Sequence, residues 1–444
     1  MNFIEYLKLY RIQLIKTAFC FITFMSLGGC STLLGSSLLD IQIRVREPFD
    51  KVTGLVPSRA IGYMFGGVIA GLVEAKLDAN LVLFFANSTA AILIGLAPWF
   101  YSYWSIYTCF LLSGVSQGVL DIFVNTYSFN VWGSKAANYI QILHSSYGIG
   151  CLLTPLLTKA FLLTEPVTMD NETLTDDEIF ATYSPEDVQV QYAFLIIAVV
   201  LLSSSFGFLL FHFRDKAAKK ADSASNKEVV IHNDSARWKR YLCIGVVAFI
   251  ANCSFGLQTL VGSLGPAFVV KSGLHMSKSE GATLVTVFWA VFTFYRYVHI
   301  GLLNYFKERY VMICAYLCVI VSAFVMAPHA ATYRVCIWVG LILLGGGYSP
   351  TFTVSLSTLQ KYFFLSNRNA SCIFIIGVTG ESIHPWILTQ LMVKNQVYFT
   401  YYLGILSSMQ VATCFILPII CEKIFKPEEK RDYSRTGSIR SYTR

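Results

Sequence analysis

The sequence predicts an all-α membrane protein of twelve transmembrane helices arranged as two pseudo-symmetric six-helix halves. Three observations carry this: a high apolar fraction, the number of membrane-length apolar runs, and a short pattern recurring at a nearly constant offset. Of 444 residues, 55% are hydrophobic and only 14% charged, where an ordinary soluble domain has about a quarter charged. A hydrocarbon core of about 30 Å takes roughly 20 helical residues to cross. Runs of that order fall at 12–39, 57–77, 81–99, 104–128, 140–163, 191–213, 240–269, 281–303, 309–327, 333–357, 371–393 and 398–421.

The first run follows the basic residues Lys8 and Arg11, but it is too long for a signal-peptide core and lacks a small-residue cleavage site, so it reads as the first helix. An even number of spans puts both termini on one side, and the Lys/Arg bias selects which. With both termini inside, the inner segments hold 24 Lys/Arg and the outer ones 8. Cytoplasmic termini in a multi-pass protein of the plasma membrane are therefore expected. Sequons occur at Asn87, Asn171, Asn252 and Asn369; only Asn171, in Asn171-Glu172-Thr173, falls in an outer loop, so it is the expected glycosylation site. That loop, 164–190, holds eight acidic residues and no Lys or Arg, as a solvated exterior segment would. All twelve cysteines lie within or beside apolar runs, which suits free thiols rather than a disulfide framework.

The charged stretch 214–240 is expected to be a cytoplasmic linker. It would join an N-terminal half, 1–213, to a C-terminal half, 241–421, ahead of a basic tail, 422–444, that suits anionic lipid. The halves share sequence. GCSTLLGSSL from Gly29 and GLQTLVGSLG from Gly256 agree at five of ten positions at an offset of 227. A Gly-x4-Pro pattern recurs at Gly150 to Pro155 and Gly380 to Pro385, at an offset of 230. Two matches at nearly one offset indicate a duplicated unit. Proline near the middle of a membrane helix frees a carbonyl and favours a bend where a cavity or neighbour satisfies it.

Asp121 is the strongest point signal. A carboxylate near mid-membrane costs about 3 kcal/mol on insertion scales, so it is expected to face a wet cavity or a partner. Gln117, Asp121 and Asn125 recur every four residues and form one polar stripe on an otherwise apolar helix. Burial favours the neutral acid and a bound cation favours the carboxylate, which is the requirement for a coupling site for Na⁺ or H⁺; a structural hydrogen bond between helices is the alternative. Glu381, one turn before His384 and Pro385, is the second candidate, either for coupling or for docking a buried cation. Gln141, His144 and Ser145 in the fifth span offer polar groups to a hydroxylated solute. Arg296, in the inner half of the eighth span, is a candidate gate or a snorkelling cation. Asp40 and Arg59, at the outer ends of the first two spans, are expected to pair with each other. Trp289 and Trp386 are candidate stacking platforms for a sugar, with Trp386 expected to line the cavity. No phosphate loop, catalytic zinc motif, nucleophile elbow or Cys/His metal pattern occurs in a suitable context, so neither an enzyme nor an ATP-driven pump is supported.

These residues resemble the major facilitator superfamily, and within it the branch of sodium-dependent glucose transporter-like and fucose:proton symporter-like proteins. The likeness is carried by Gly118-Val-Leu-Asp121-Ile-Phe-Val-Asn125, Trp132-Gly-Ser-Lys-Ala, Leu143-His-Ser-Ser-Tyr-Gly-Ile-Gly150 with Pro155, Arg59-Ala-Ile-Gly62-Tyr63, Phe288-Trp289 to Thr293 and Arg296, and Gly380-Glu381 to Pro385. The resemblance implies the major facilitator fold, with a central cavity opening alternately to each side and the substrate at mid-membrane. In the fucose-type symporters the carboxylate matching Asp121 is implicated in sugar recognition and proton coupling, with the asparagine matching Asn125 nearby. Two departures stand out. The loop after the second span reads Glu74-Ala-Lys-Leu-Asp78 in place of the usual acidic-Arg-x-Gly-Arg pattern, and Gln258 stands where this branch often has a glutamate.

The reading from sequence is a secondary transporter of a hexose-like polar solute, coupled to Na⁺ or H⁺ and needing no other cofactor. It is expected to be a monomer in lipid without nucleic-acid partners. A non-transporting sensor or scaffold that retains the fold, or a passive channel, shares the same spans and glycines.

Overall fold

The computed structural model describes residues 3–73, 77–132, 136–163, 176–219, 237–303, 305–327, 329–362 and 367–424. Its long helices are α1 (Arg11–Val45), α2 (Leu55–Val73), α3 (Ala79–Leu96), α4 (Tyr103–Trp132), α5 (Ala136–Lys159) and α6 (Gln191–Lys219), then α7 (Arg237–Thr259), α8 (Lys278–Leu302), α9 (Glu308–Met326), α10 (Arg334–Tyr348), α11 (Asn367–Lys394) and α12 (Tyr398–Ile424). Among the described residues, eleven segments are long and apolar enough to cross a membrane. The twelfth helix, α5, has 24 residues and carries Gln141, His144, Ser145, Ser146 and Thr154. No strand occurs among the described residues.

Several helices outrun their apolar segments, for identifiable reasons. The first span, expected to end at 39, continues to Val45, and the polar side chains of this extension find partners. Gln42 donates to Asp176 at 2.8 Å, and Arg44 donates to Gln191 Oε1 at 2.7 Å and to the Val188 carbonyl at 3.0 Å. At the other end of this half, α6 runs on to Lys219 and is tied back by Asp215, which pairs with Lys16 of α1 at 2.7 Å.

The seventh span is not one regular helix. After Thr259 it passes through a π turn, Leu260–Leu264, and resumes as Gly265–Lys271. Pro266 is the cause: it has no N–H to give the Gly262 carbonyl, and its ring would clash with that oxygen in a regular helix. The chain answers with an i to i−5 bond, Gly265 N–H to the Leu260 carbonyl. The freed Gly262 oxygen lies against Gly35 of α1, where a Cβ would collide with it.

Packing follows the repeat. Helix α1 lies on α5, α2 on α4 and α3 on α6; the second half repeats this with α7 on α11, α8 on α10 and α9 on α12. The halves meet along two seams, α5 against α8 and α2 against α11, which the repeat interchanges. The Gly-x4-Pro pattern has a matching purpose in each half. Gly150 lets α5 rest on the Met25 carbonyl of α1, and Gly380 lets α11 rest on the Asn252 carbonyl of α7. Met25 and Asn252 are themselves separated by the offset of 227. Such backbone contact through glycine is how helices gain dispersion energy in lipid, where no hydrophobic force separates them from the solvent. Both helices continue through their prolines, Pro155 and Pro385. All twelve cysteines are free thiols.

Candidate functional site

The site begins with the approach of α2 to α4. Gly62 and Gly66 lie on the α4 backbone, and Gly114 and Gly118 lie on the α2 backbone, so the two helices touch with no side chain between them. This brings Arg59 and Tyr63, one turn apart on α2, onto the polar stripe of α4. Arg59, only 4% exposed, donates to Gln117 Oε1 at 3.2 Å and to Glu381 of α11 at 2.8 Å. Its guanidinium also lies 6.0 Å from the Tyr63 ring centre. The buried Arg59–Glu381 ion pair therefore crosses from one half to the other.

Asp121 follows one turn after Gln117. Asn125 Nδ2 donates to its carboxylate at 3.1 Å and to its carbonyl at 2.9 Å, and Tyr63 stands on the same small cavity as the carboxylate. No cation pairs with it among the described residues. Tyr63, Gly118, Asp121, Phe374 and Val378 border a cavity of about 10 Å³, room for about one water molecule. The stripe read from sequence is thus one row with two tasks. Gln117 holds the arginine that docks the halves, and Asp121, held by Asn125, faces the cavity.

The expected pairing of Asp40 with Arg59 does not occur. Arg59 turns to Glu381, while Asp40, completely buried, pairs with Lys278 of α8 at 2.7 Å and accepts from the Leu163 N–H at 2.8 Å. Each charge finds a partner across the interface, where burial makes an ion pair obligatory, instead of on its own half. A second inter-half pair lies beside it. Asp176, at the start of a short helix, Asp176–Thr182, meets Lys271 at 3.2 Å and also accepts from Gln42 and from the Phe49 N–H. Both pairs close the face opposite the chain termini. On the terminal face, among the described residues, the ion pairs join helices of the same half: Lys16 to Asp215, His212 to Asp78 and Lys361 to Glu308.

At the other seam, Arg296 donates to the His144 carbonyl at 3.3 Å and lies over the Phe292 ring at 4.9 Å. The His144 ring is parallel to Phe374 of α11 at 6.4 Å and edge-on to Phe24. Phe374 in turn packs on Phe255 and Phe352, so an aromatic cluster spans the halves beside Asp121.

Other candidates are placed differently. Trp386, expected to line the cavity, is 61% exposed on the apolar outer face of α11 that also carries Ile383 and Val393; Glu381 occupies the inward face, and the helical period turns Trp386 away from it. Gln258 is half-buried on α7 just before the π turn. The side chain of Gln141 and the segment 164–175, which holds Asn171, lie outside the described residues.

Sequence reading missed Tyr63, although it follows Arg59 at i+4 on a helix already singled out. It also missed Lys271, Lys278 and Asp176. Charges near span ends are ordinary topology signals, and nothing local says which one crosses to the other half.

Fold and comparisons agree. The chain belongs to the family described as Major Facilitator Superfamily, whose profile matches residues 17–385. It is a membrane transporter, not an enzyme. Among relatives, "Sodium-dependent glucose transporter 1" of Danio rerio is 25% identical over 430 residues, covering 94% of this chain and 70% of that protein. Among solved structures, the D-xylose-proton symporter superimposes with a TM-score of 0.65 at 13% identity, covering 95% of this chain and 99% of that one. A variant of the E. coli fucose:proton symporter FucP superimposes with a TM-score of 0.61 at 13% identity, covering 91% and 99%. At that identity both structures speak to the fold alone.

Proposed function

We propose that this protein carries a sugar-like polar solute across the membrane by alternating access, driven by a coupled Na⁺ or H⁺, with Asp121 as the coupling or recognition carboxylate. One observation carries the reading: between the halves, Glu381 is neutralised by Arg59 while Asp121 keeps only the neutral neighbours Tyr63 and Asn125. A carboxylate left without a cation in a membrane helix is costly unless its charge is cancelled during the cycle. A proton needs only that carboxylate. A sodium ion needs several converging oxygens, and Asp121, the Tyr63 hydroxyl and the Asn125 amide oxygen are the groups positioned to begin such a shell.

The placement of ion pairs supports alternation. Inter-half pairs hold the face opposite the termini closed, while none joins the halves at the terminal face among the described residues. Closure on one side at a time is what a carrier requires and a channel does not. The sugar class draws on relatives named for glucose. Orientation with cytoplasmic termini belongs to the same reading and rests on the charge bias; residence in the plasma membrane is proposed with it.

The deciding experiment is uptake of labelled glucose and fucose into proteoliposomes, with Na⁺ and pH gradients imposed separately, for wild type and Asp121→Asn. The expected result is concentrative uptake under one gradient that the variant loses. Unchanged concentrative uptake in the variant removes Asp121 from coupling. Uptake that only equilibrates, under either gradient, turns the reading toward a passive channel.

A further inference from the structure

Among the described residues, Asp121 is a charge between the halves that no ion pair compensates, and Arg296 is another. Its Nη1 is engaged by the His144 carbonyl, and its Nε is buried with no acceptor. The three carboxylates deep in the membrane helices are occupied elsewhere: Asp40 by Lys278, Glu381 by Arg59, and Asp121 by Asn125. No acid among the described residues forms an ion pair with this guanidinium.

The same face of α8 continues the pattern. Thr293 and Trp289 precede Arg296 at helical spacing, and Thr293 Oγ1 and Trp289 Nε1 are likewise buried without a partner. Trp289 is 1% exposed and Thr293 6%. They face α5, where Tyr147 stands 6.2 Å from Trp289 and Gly148 abuts Thr293. The indole and guanidinium N–H groups can only donate. A neutral sugar hydroxyl brings a proton of its own, for which this face offers the Thr293 oxygen but no carboxylate. A carboxylate only accepts, so it suits a row of donors carrying one positive charge.

We propose that the carrier takes a sugar acid in preference to a neutral hexose, with Arg296 receiving its carboxylate and Thr293 and Trp289 supplying further donors. This narrows the substrate class of the carrier reading above and rests on it. Arg296 and His144 keep partial exposure, whereas Trp289 and Thr293 are sealed under α5, so an incoming anion meets the guanidinium first and reaches the deeper donors as the seam parts. Charge balance then explains coupling. With both sites empty, Asp121 and Arg296 cancel; with a cation on one and a carboxylate on the other, the sum is again zero. Half-loaded states carry a net charge through the membrane and are disfavoured.

The test is uptake of labelled glucuronate and labelled glucose into proteoliposomes by wild type, Arg296→Gln and Arg296→Lys, together with the thermal shift each solute gives purified wild type. Expected are glucuronate uptake, glucose competing at least about tenfold more weakly, a loss of about tenfold or more in glucuronate affinity in Arg296→Gln, and partial retention in Arg296→Lys. Glucose uptake by wild type with neither transport, competition nor thermal stabilisation by glucuronate overturns the sugar-acid assignment and leaves the carrier reading standing. Failure of wild type to take up either solute under any gradient overturns both. The wild-type competition and thermal shift decide the matter even if the variants fail to fold.

Discussion

Gly35 on α1 rests against the carbonyl oxygen of Gly262 on α7, and the two residues occupy equivalent places in the two halves. They therefore meet on the pseudo-symmetry axis of the molecule. The contact depends on Pro266, which strips that carbonyl of its helical partner and leaves the π turn in its place. Below this crossing lies the Asp121 network, and beyond it lie the ion pairs that seal the face opposite the termini.

Closing that crossing requires a bare Cα on α1. Gly35→Val is expected to cost about 1–3 kcal/mol by overpacking and to shift the protein toward states parted on the sealed face. Thermal melting in detergent reads the first effect, and distances between spin labels placed on α1 and α7 at that face read the second. A variant as stable as wild type with an unchanged distance distribution would show that the contact is loose.

Asp40→Asn leaves Lys278 buried without its counter-charge. Removing one partner of a buried ion pair costs about 3–5 kcal/mol, and here part of that cost is relieved by opening, which lets water reach the lysine. Modification of cysteines introduced near Leu163 by a membrane-impermeant reagent should rise in the variant. An equal rate in both proteins would mean that the pair does not hold the gate.

For Asp176, burial pushes the carboxyl up, but Lys271, the Phe49 N–H and the Gln42 amide outweigh it and hold the group below the usual carboxylate range. A carboxyl lowered in the folded state stabilises above its unfolded value and loses that contribution as pH falls through the lower one. The Asp176–Lys271 latch should thus persist at pH 5 and weaken only below about pH 4. Label distances across this face during acid titration test it, and Asp176→Asn should abolish that transition. Loss of the latch already near pH 6 would contradict the assignment.

Arg59 and Glu381 should behave as a unit. Glu381→Gln strands a buried guanidinium and Arg59→Gln a buried carboxylate, each costing about 3–5 kcal/mol, whereas the double variant should cost less than the sum. Denaturation of the two single variants and the double variant measures the coupling. Simple additivity would show that the pair contributes nothing as a pair.

By itself the sequence determined the number of helices, their grouping into two halves and the stripe on α4. These follow from composition and period: an apolar run must be a membrane helix, a recurring pattern must be a repeated unit, and polar residues four apart must share a face. It also placed Asp121 and Asn125 together. The family was legible as well, because the motifs around Asp121, His144 and Glu381 are local and survive in the linear chain. Tertiary structure decided what stands across from each charge. Asp40 and Arg59 read as neighbours because their helices are consecutive, but a buried ion is held by whichever counter-ion the packing brings within reach. The packing brought Lys278 and Glu381, both more than two hundred residues away. Trp386 was assigned inward from its place beside the bend, and only the rotation of α11 about Glu381 shows that it faces outward. Local sequence sets what each face can bury, and the meeting of the halves settles which groups are buried together.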